Sequence, residues 1–256
     1  MAIGSFTRRL AVIVLAAGKG TRMKSDLPKI LHPLLNRPMV LYVLDIARAL
    51  TPSRLVMVVG FGKDRVIEAV RADDVIFAIQ DDPQGTGHAV LQTEAALKDF
   101  VGDVLILSGD VPLLPVSVLD DFLRFHYQSR AWLTLMTAEL PDPTGYGRIV
   151  RDHQGFVTAI VEEKDAGDQI RSIKEFNSGI YLAQHQDLFQ YLRRLKNDNA
   201  KGEYYITDLV RIALDQGRQV AAYKIDNANL VLGINTLDEL AEAEEVLKHR
   251  LGTENC

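Results

Sequence analysis

The sequence predicts an α/β chain built on a doubly wound, mostly parallel sheet, and three observations carry that prediction. Short unbroken apolar runs, Val12 to Leu15, Leu55 to Val59, Val75 to Ile79 and Val104 to Leu107, alternate with stretches of helical spacing. Runs of this kind suit strands covered on both faces by crossover helices. Each run ends in small or turn-forming residues, so the chain passes repeatedly from strand to loop. A length of 256 residues at 47% hydrophobic content is enough for one sizeable core carrying a smaller lobe, with no room for a second full domain.

The first run empties into Ala16, Ala17, Gly18 and Gly20. With almost no side chain, these residues let backbone N–H groups approach a ligand and adopt torsions that bulkier residues resist. Arg22 and Lys29, the latter just past Pro28, flank the loop with two permanent cations. A planar guanidinium clamps two oxygens and an ammonium acts as a mobile point charge, so the pair suits a polyphosphate. Met23 stands where a dinucleotide fingerprint needs its third small residue, and no Gly-x-x-x-x-Gly-Lys-Ser/Thr string occurs. From Pro38, the residues Met39, Tyr42, Val43, Ile46 and Leu50 recur at helical spacing and stop before Pro52. The strand Leu55 to Val59 closes at Gly60-Phe-Gly62, a short helix covers Val66 to Val70, and the strand Val75 to Ile79 follows. Gly85-Thr86-Gly87 opens a helix bearing Ala89, Val90, Ala95, Ala96 and Leu97, before the strand Val104 to Leu107 ends in Ser108-Gly109-Asp110. Ligands of such sheets bind beyond the carboxyl ends of the strands. Ala17 to Arg22, Gln80 to Thr86 and Ser108 to Asp110 all fall there.

From about Ala131 the texture changes to a mixed-strand lobe. Trp132 to Thr137 reads as a strand, Gly147 to Arg151 and Phe156 to Val161 as a hairpin, and Phe176 to Leu182 as another strand. Helices at Leu188 to Leu195 and Ile206 to Leu214, a strand Val220 to Ile225 and a helix Leu237 to Leu251 complete the chain, with N-cap residues in Asn235-Thr-Leu-Asp238.

A formal charge of -5 argues against a general binder of nucleic acid or anionic membrane, so any attraction for phosphate is local. The single cysteine, Cys256, supports no disulfide framework and no cysteine cluster for zinc, and a reducing cytoplasm is the default. Met1-Ala-Ile-Gly-Ser-Phe-Thr-Arg-Arg9 has a basic pair without the apolar core of a signal peptide, so the chain is expected to be neither exported nor membrane-spanning. Asp110, at a strand end beside a cationic loop, suits an anchor for Mg²⁺, a hard cation that takes one or two protein oxygens and fills its sphere with phosphate and water. Asn235 offers a second, neutral oxygen or else caps the helix after it. The six histidines show no metal-triad spacing and are read as structural.

The string Leu15-Ala-Ala-Gly-Lys-Gly-Thr-Arg-Met23 followed by Pro28-Lys29 resembles the signature of the sugar nucleotidyltransferases. Within them, nearly the whole chain resembles the N-terminal uridylyltransferase half of the bifunctional N-acetylglucosamine-1-phosphate uridylyltransferase/glucosamine-1-phosphate acetyltransferases. The strings that carry this are Asp26-Leu-Pro-Lys-Ile-Leu-His32, Gln84-Gly-Thr-Gly-His-Ala89, Asp142-Pro-Thr-Gly-Tyr-Gly-Arg-Ile149, Ile160-Val-Glu-Glu-Lys-Asp165, Asn177-Ser-Gly-Ile180, Gly202-Glu-Tyr-Tyr-Ile-Thr-Asp208 and Gly233-Ile-Asn235.

The resemblance implies a Rossmann-like nucleotidyltransferase fold of the GT-A-like kind and a single domain over residues 1–256. Its nucleotide-binding half covers roughly 1–130, its sugar-binding lobe 131–235 and its closing helix 236–256. It implies transfer of UMP from UTP to N-acetylglucosamine 1-phosphate with Mg²⁺, for amino-sugar and cell-wall precursors, in the cytoplasm. Arg22, Lys29 and Asp110 become the catalytic residues. Leu15, Ala16, Ala17, Gly18, Lys29, Gln80, Gly85, Thr86, Ser108, Gly109 and Asp110 hold the nucleotide, with Gln80 and the Gly85-Thr86 backbone at the uracil edge. Gly147, Glu162, Asn177 and Asn235 hold the sugar, and Asp110 and Asn235 the metal. Taken on the residues alone, Glu162 is also an ordinary surface acid and Asn177 a turn former. Where Ser108 stands the family often has Tyr. Nothing after Leu251 matches the family's hexapeptide-repeat β-helix, so acetyl transfer and the trimer it organises are not expected. Two rival readings remain: a nucleotidyltransferase for another base or sugar phosphate, and an idle nucleotide-sugar-binding module.

Overall fold

The computed structural model describes residues 9–253; the stretch Met1 to Arg8 and Cys256, both read above, lie outside the described residues. In chain order the elements are β1 (Leu10–Ala16), β2 (Pro33–Leu34), β3 (Arg37–Pro38), α1 (Met39–Ala49), β4 (Arg54–Val59), α2 (Lys63–Val70), β5 (Val75–Ile79), α3 (Thr86–Leu91), α4 (Glu94–Leu97), β6 (Asp103–Ser108) and α5 (Val116–Ser129). There follow β7 (Leu133–Glu139), β8 (Arg148–Arg151), β9 (Val157–Val161), α6 (Asp168–Arg171), β10 (Glu175–Gln184), α7 (Leu188–Leu192), α8 (Leu209–Asp215), β11 (Val220–Lys224) and α9 (Leu237–Thr253).

The main sheet runs β11-β7-β10-β6-β1-β4-β5. β5, β4, β1 and β6 are mutually parallel, as the apolar runs predict. β10 enters antiparallel to both β6 and β7, and β11 lies parallel to β7. The strands of the second half thus extend the same sheet, and the β8–β9 hairpin branches from it at β10. Side chains alternate across β1: Val12, Val14 and Ala16 join the core on one face, Ala11 and Ile13 the core on the other. Burying each larger apolar side chain contributes about 1.5–3 kcal/mol, and the two-sided burial explains the lack of polar alternation in the run.

The structure departs from the sequence reading at several elements, with β2, β3 and α6 absent from that reading, and it selects one residue of Asn235 to Asp238 as the cap of α9. The helix expected from Gly85 to Leu97 is two short helices, because the buried Thr93 turns its hydroxyl onto the Val90 carbonyl at 2.7 Å between them. α5 is a helix that the reading passed over; Pro115 precedes it, and Leu119, Phe122 and His126 form its buried face. The cap of α9 is Thr236: its Oγ1 accepts the Glu239 N–H at 3.2 Å while Glu239 Oε2 accepts the Thr236 N–H at 3.1 Å. This reciprocal capping box frees the Asn235 side chain from the helix end.

The winding reverses at β1. From β1 the chain steps outward to β4 and β5, then returns to place β6 on the opposite side. Loops leaving β1 and β6 therefore diverge and open a crevice at their carboxyl ends. A separate cluster of Met23, Leu34, Met39, Ile234, Leu240 and Ala243 packs α9 against the loop after β1, bringing a segment more than two hundred residues away to the rim of that crevice.

Candidate functional site

The crevice is a cleft of about 350 Å³. It is lined by Leu15, Ala16, Ala17, Gly18, Lys29, Gln80, Gly85, Thr86, Ser108 and Asp110, ten of the eleven residues expected to hold a nucleotide. Gly109 is the exception. Its N–H is taken up by the Leu15 carbonyl at 2.9 Å, and a Cβ there would lie 3.0 Å from the same oxygen. Gly109 therefore lets β6 close onto β1 and lends no amide to the cleft. Glycine is needed also at 20, where φ is +62° and an added Cβ would strike the Lys29 side chain. The loop is thereby folded down against Lys29.

Charge gathers at one rim. Lys29 Nζ donates to Asp110 Oδ2 in a half-buried ion pair, and to Asn235 Oδ1 at 2.9 Å. Arg22 Nη2 donates to the same Asn235 oxygen at 2.8 Å. Asn235 is held from behind: its Nδ2 donates to the Gly233 carbonyl at 2.7 Å, and its backbone N–H to Glu239 Oε2 at 2.5 Å. The Ile234 N–H binds the Asp110 carbonyl at 2.9 Å, and a Cβ on Gly233 would come within 3.1 Å of the Asp110 carboxylate. The structure thus brings together Arg22, Lys29, Asp110 and Asn235, and the Asn235 side chain faces the cations and does not cap α9. Two hard oxygens, Asp110 Oδ2 and Asn235 Oδ1, converge on one positive charge, the Lys29 ammonium. Such a donor set fits a divalent cation of the Mg²⁺ kind that completes its sphere with phosphate and water. Among the described residues no group of three or more His, Cys, Asp or Glu side chains suits a metal ion, so a site closed by protein alone is not found there.

The far wall of the cleft is set by a remote segment. Gly85 has φ +111°, and a Cβ on it would lie 2.7 Å from the Tyr204 carbonyl. The backbone of Tyr204 pairs with the Gln84 carbonyl and the Gly87 N–H, each at 2.8 Å, and Thr86 Oγ1 accepts the Ile206 N–H at 3.1 Å. Gln80 is buried at the floor.

Gly147, Glu162 and Asn177 meet one another apart from Asn235. The Asn177 N–H binds the Gly147 carbonyl at 2.9 Å, and a Cβ on Gly147 would approach Glu162 Oε1 to 3.4 Å. Asn177 does act as a turn former: Oδ1 accepts the Gly179 N–H at 3.2 Å within the irregular stretch of β10, while Nδ2 donates to the Tyr181 hydroxyl at 2.6 Å. One N–H and one lone pair of its amide remain. Glu162 lines a second pocket of about 300 Å³ with Asp165, Tyr205, Thr207 and Asp208. Burial raises the Glu162 carboxyl above its ordinary range, against the opposing pull of Lys201 and a 3.3 Å hydrogen bond from Thr207. The same burial pushes the Tyr205 hydroxyl up to about 12.

The residue-by-residue reading did not find Tyr146, which joins the two groups. Its ring packs on Phe176 at 4.6 Å between centroids, and its hydroxyl lies near the Gly233 backbone, with a pKa raised by burial and then by Glu239 and Asp110. Its place between Gly145 and Gly147 was the available signal. Glu239, which holds the Asn235 backbone, had none beyond the capping-box spacing.

A family model for the MobA-like NTP transferase domain matches residues 12–212. Among curated proteins, one named bifunctional protein GlmU from Thermus thermophilus is 50% identical over 244 residues, covering 95% of this chain and 53% of that protein. A protein of the same name from Cupriavidus pinatubonensis is 47% identical over 240 residues, covering 94% and 52%. The chain spans about half the length of the curated relatives it matches. The solved structure of a UDP-glucose pyrophosphorylase complexed with UDP-glucose superposes with a TM-score of 0.73, covering 94% of this chain and 99% of that one at 19% identity, a likeness of fold.

Proposed function

The chain belongs to the family of MobA-like NTP transferase domains, and from that premise we propose that it is a uridylyltransferase that joins UTP to N-acetylglucosamine 1-phosphate and releases pyrophosphate. The observation that carries the proposal is the convergence of Arg22, Lys29, Asp110 and Asn235 at the mouth of a cleft built from backbone. The resemblance of the sequence to the uridylyltransferases, and the relatives named bifunctional protein GlmU, support the choice of base and sugar.

The acceptor phosphate is already anionic at neutral pH, so its oxygen attacks the α-phosphorus without a general base. One P–O bond forms to the sugar phosphate while the bond from the α-phosphorus to the bridging oxygen breaks, and pyrophosphate leaves with the electron pair. What the protein supplies is alignment and neutralisation of crowded negative charge. Lys29, a point charge on a flexible stem, offsets charge at the α-phosphate. Arg22, at the exposed rim, receives the pyrophosphate with its fork. Asp110 and Asn235 would hold Mg²⁺, which when bound supplies electrophilic stabilisation of the phosphate oxygens. The Ala16 to Gly18 backbone lies against the nucleotide. Gly147, Glu162 and Asn177 serve the sugar, with Tyr146 linking them to the segment that carries Asn235.

No helix among the described residues is long and apolar enough to cross a membrane. The test is pyrophosphate release by the chain with Mg²⁺ and UTP, comparing N-acetylglucosamine 1-phosphate with glucose 1-phosphate. Rapid release with the N-acetylated sugar alone is expected. Release with glucose 1-phosphate instead would keep the chemistry and change the substrate, and silence with every pair would leave a binding module.

A further inference from the structure

The floor of the cleft holds a polar chain that the proposed reaction does not use. Gln80, 4% exposed, directs Nε2 at the Gly85 carbonyl at 3.1 Å and at His88 Nδ1 at 2.9 Å. The other ring nitrogen, His88 Nε2, lies 3.0 Å from the side-chain amide of Gln92. A neutral imidazole accepts at one nitrogen and donates at the other. Its two neighbours therefore cannot both present N–H groups to it.

Burial decides between them. If the Gln80 amide turned over, its oxygen would face the Gly85 carbonyl oxygen across the 3.1 Å that its N–H now bridges, two acceptors at hydrogen-bond distance. Turning the Gln92 amide gives up the 3.2 Å bond from its Nε2 to the His88 carbonyl, but Gln92 is only half-buried, so solvent reaches the freed groups, and that carbonyl keeps the Gln92 backbone N–H at 3.3 Å; the turn costs less there than at the buried Gln80. The consistent network has His88 Nδ1 accepting from Gln80 and His88 Nε2–H donating to the oxygen of Gln92, an assignment that follows from the hydrogen-bond partners. Both N–H groups of Gln80 are then occupied. Its Oε1 has no protein partner and faces the cleft as an acceptor only.

We infer that His88 is a positioning residue that, through Gln80, selects uracil against cytosine. The inference rests on the uridylyltransferase reading, which puts Gln80 at the base edge. A free amide could serve either base, offering oxygen to a donor or N–H to an acceptor. With the amide fixed, an acceptor meets the ring N–H of uracil, whereas cytosine presents a lone pair at the same ring position and is repelled. Sites built to hydrogen-bond one group discriminate strongly against an analogue that leaves a buried partner unmatched.

The test is binding of UTP, CTP and ribothymidine triphosphate with Mg²⁺ by equilibrium dialysis, which needs no turnover, in the wild type, His88→Leu and His88→Asn. Thermal melts check that each variant folds. Asparagine places its side-chain oxygen where His88 Nδ1 stands and so keeps an acceptor for Gln80. In His88→Leu the preference for UTP over CTP should fall on the order of tenfold. The preference between UTP and ribothymidine triphosphate, which share the ring N–H, should stay unchanged. His88→Asn should recover most of the lost selectivity. An unaltered UTP-to-CTP ratio in His88→Leu overturns the inference, as does equal weakening of all three nucleotides with no recovery by Asn, or a wild type that does not distinguish UTP from CTP. UTP-selective binding without pyrophosphate release would strike the proposed reaction and leave the role of His88 standing.

Discussion

The cleft at β1 and β6 and the pocket around Glu162 are built in opposite ways. The cleft presents backbone: Ala16, Ala17, Gly18 and Gly85 offer main chain where side chains would intrude, and charge is confined to its rim. The pocket presents side chains, the buried Tyr205 and Thr207 and the half-buried Glu162 and Asp208, drawn from the end of β9 and the segment before α8. Backbone dipoles are fixed by the fold and do not titrate. Buried acids carry a desolvation cost that varies with pH. Binding in the first region should thus respond to geometry, and behaviour of the second to protonation.

The sharpest break would come at the charged rim. Asp110→Asn removes the anion paired with Lys29, and turnover in the pyrophosphate-release assay should fall on the order of 10²- to 10³-fold with the melting temperature little changed. Nearly full activity at saturating Mg²⁺ would remove Asp110 from the mechanism.

Gly85→Ala tests whether the cleft depends on backbone alone. The new methyl meets the Tyr204 carbonyl in a left-handed conformation, with an expected stability loss of up to about 3 kcal/mol in denaturant titration and a raised KM for UTP. Wild-type KM would show that the contact with Tyr204 relaxes freely.

Two acids in the second half should respond to pH with opposite signs. Glu162 has a raised pKa, so the stability tied to its neutral form is complete below its unfolded value and lost as pH rises through the folded value. Glu162→Gln should therefore gain in melting temperature relative to wild type on going from pH 4 to pH 8. Glu175, although burial pushes it up, is held below its ordinary value by Arg151 at 2.6 and 2.8 Å and by Thr137 at 2.7 Å. Its stability is present above the unfolded pKa and lost as pH falls through the folded one. Glu175→Gln should cost about 2 kcal/mol near neutrality and less in acid. Parallel profiles for the two variants would contradict the contrast.

The smallest effect is expected at Thr236. Thr236→Ala deletes the cap of α9 and should cost about 1 kcal/mol in thermal unfolding, with kcat nearly unchanged because Glu239 still holds the Asn235 N–H. A large loss of kcat would mean that the cap also fixes the Asn235 side chain.

What the sequence determined by itself is the backbone-built half of the site. An apolar run buried on both faces, ending in alanine and glycine, specifies a strand and a close-approach loop within a dozen residues, because local torsions and strand burial need no distant partner. Parallel pairing of β1, β4, β5 and β6 was legible for the same reason. α5 was legible in principle from Pro115 and the spacing of Leu119, Phe122 and His126, whereas the break between α3 and α4 came from one buried threonine hydroxyl. Tertiary structure alone decided the rest. Asn235 reaches Arg22 and Lys29 because α9 packs on Met23, Leu34 and Met39, and the amide of Gln80 is oriented by a histidine eight residues on. Both depend on burial and on hydrogen-bond competition among groups that meet only after the chain closes, and no spacing in the sequence encodes the outcome of that competition.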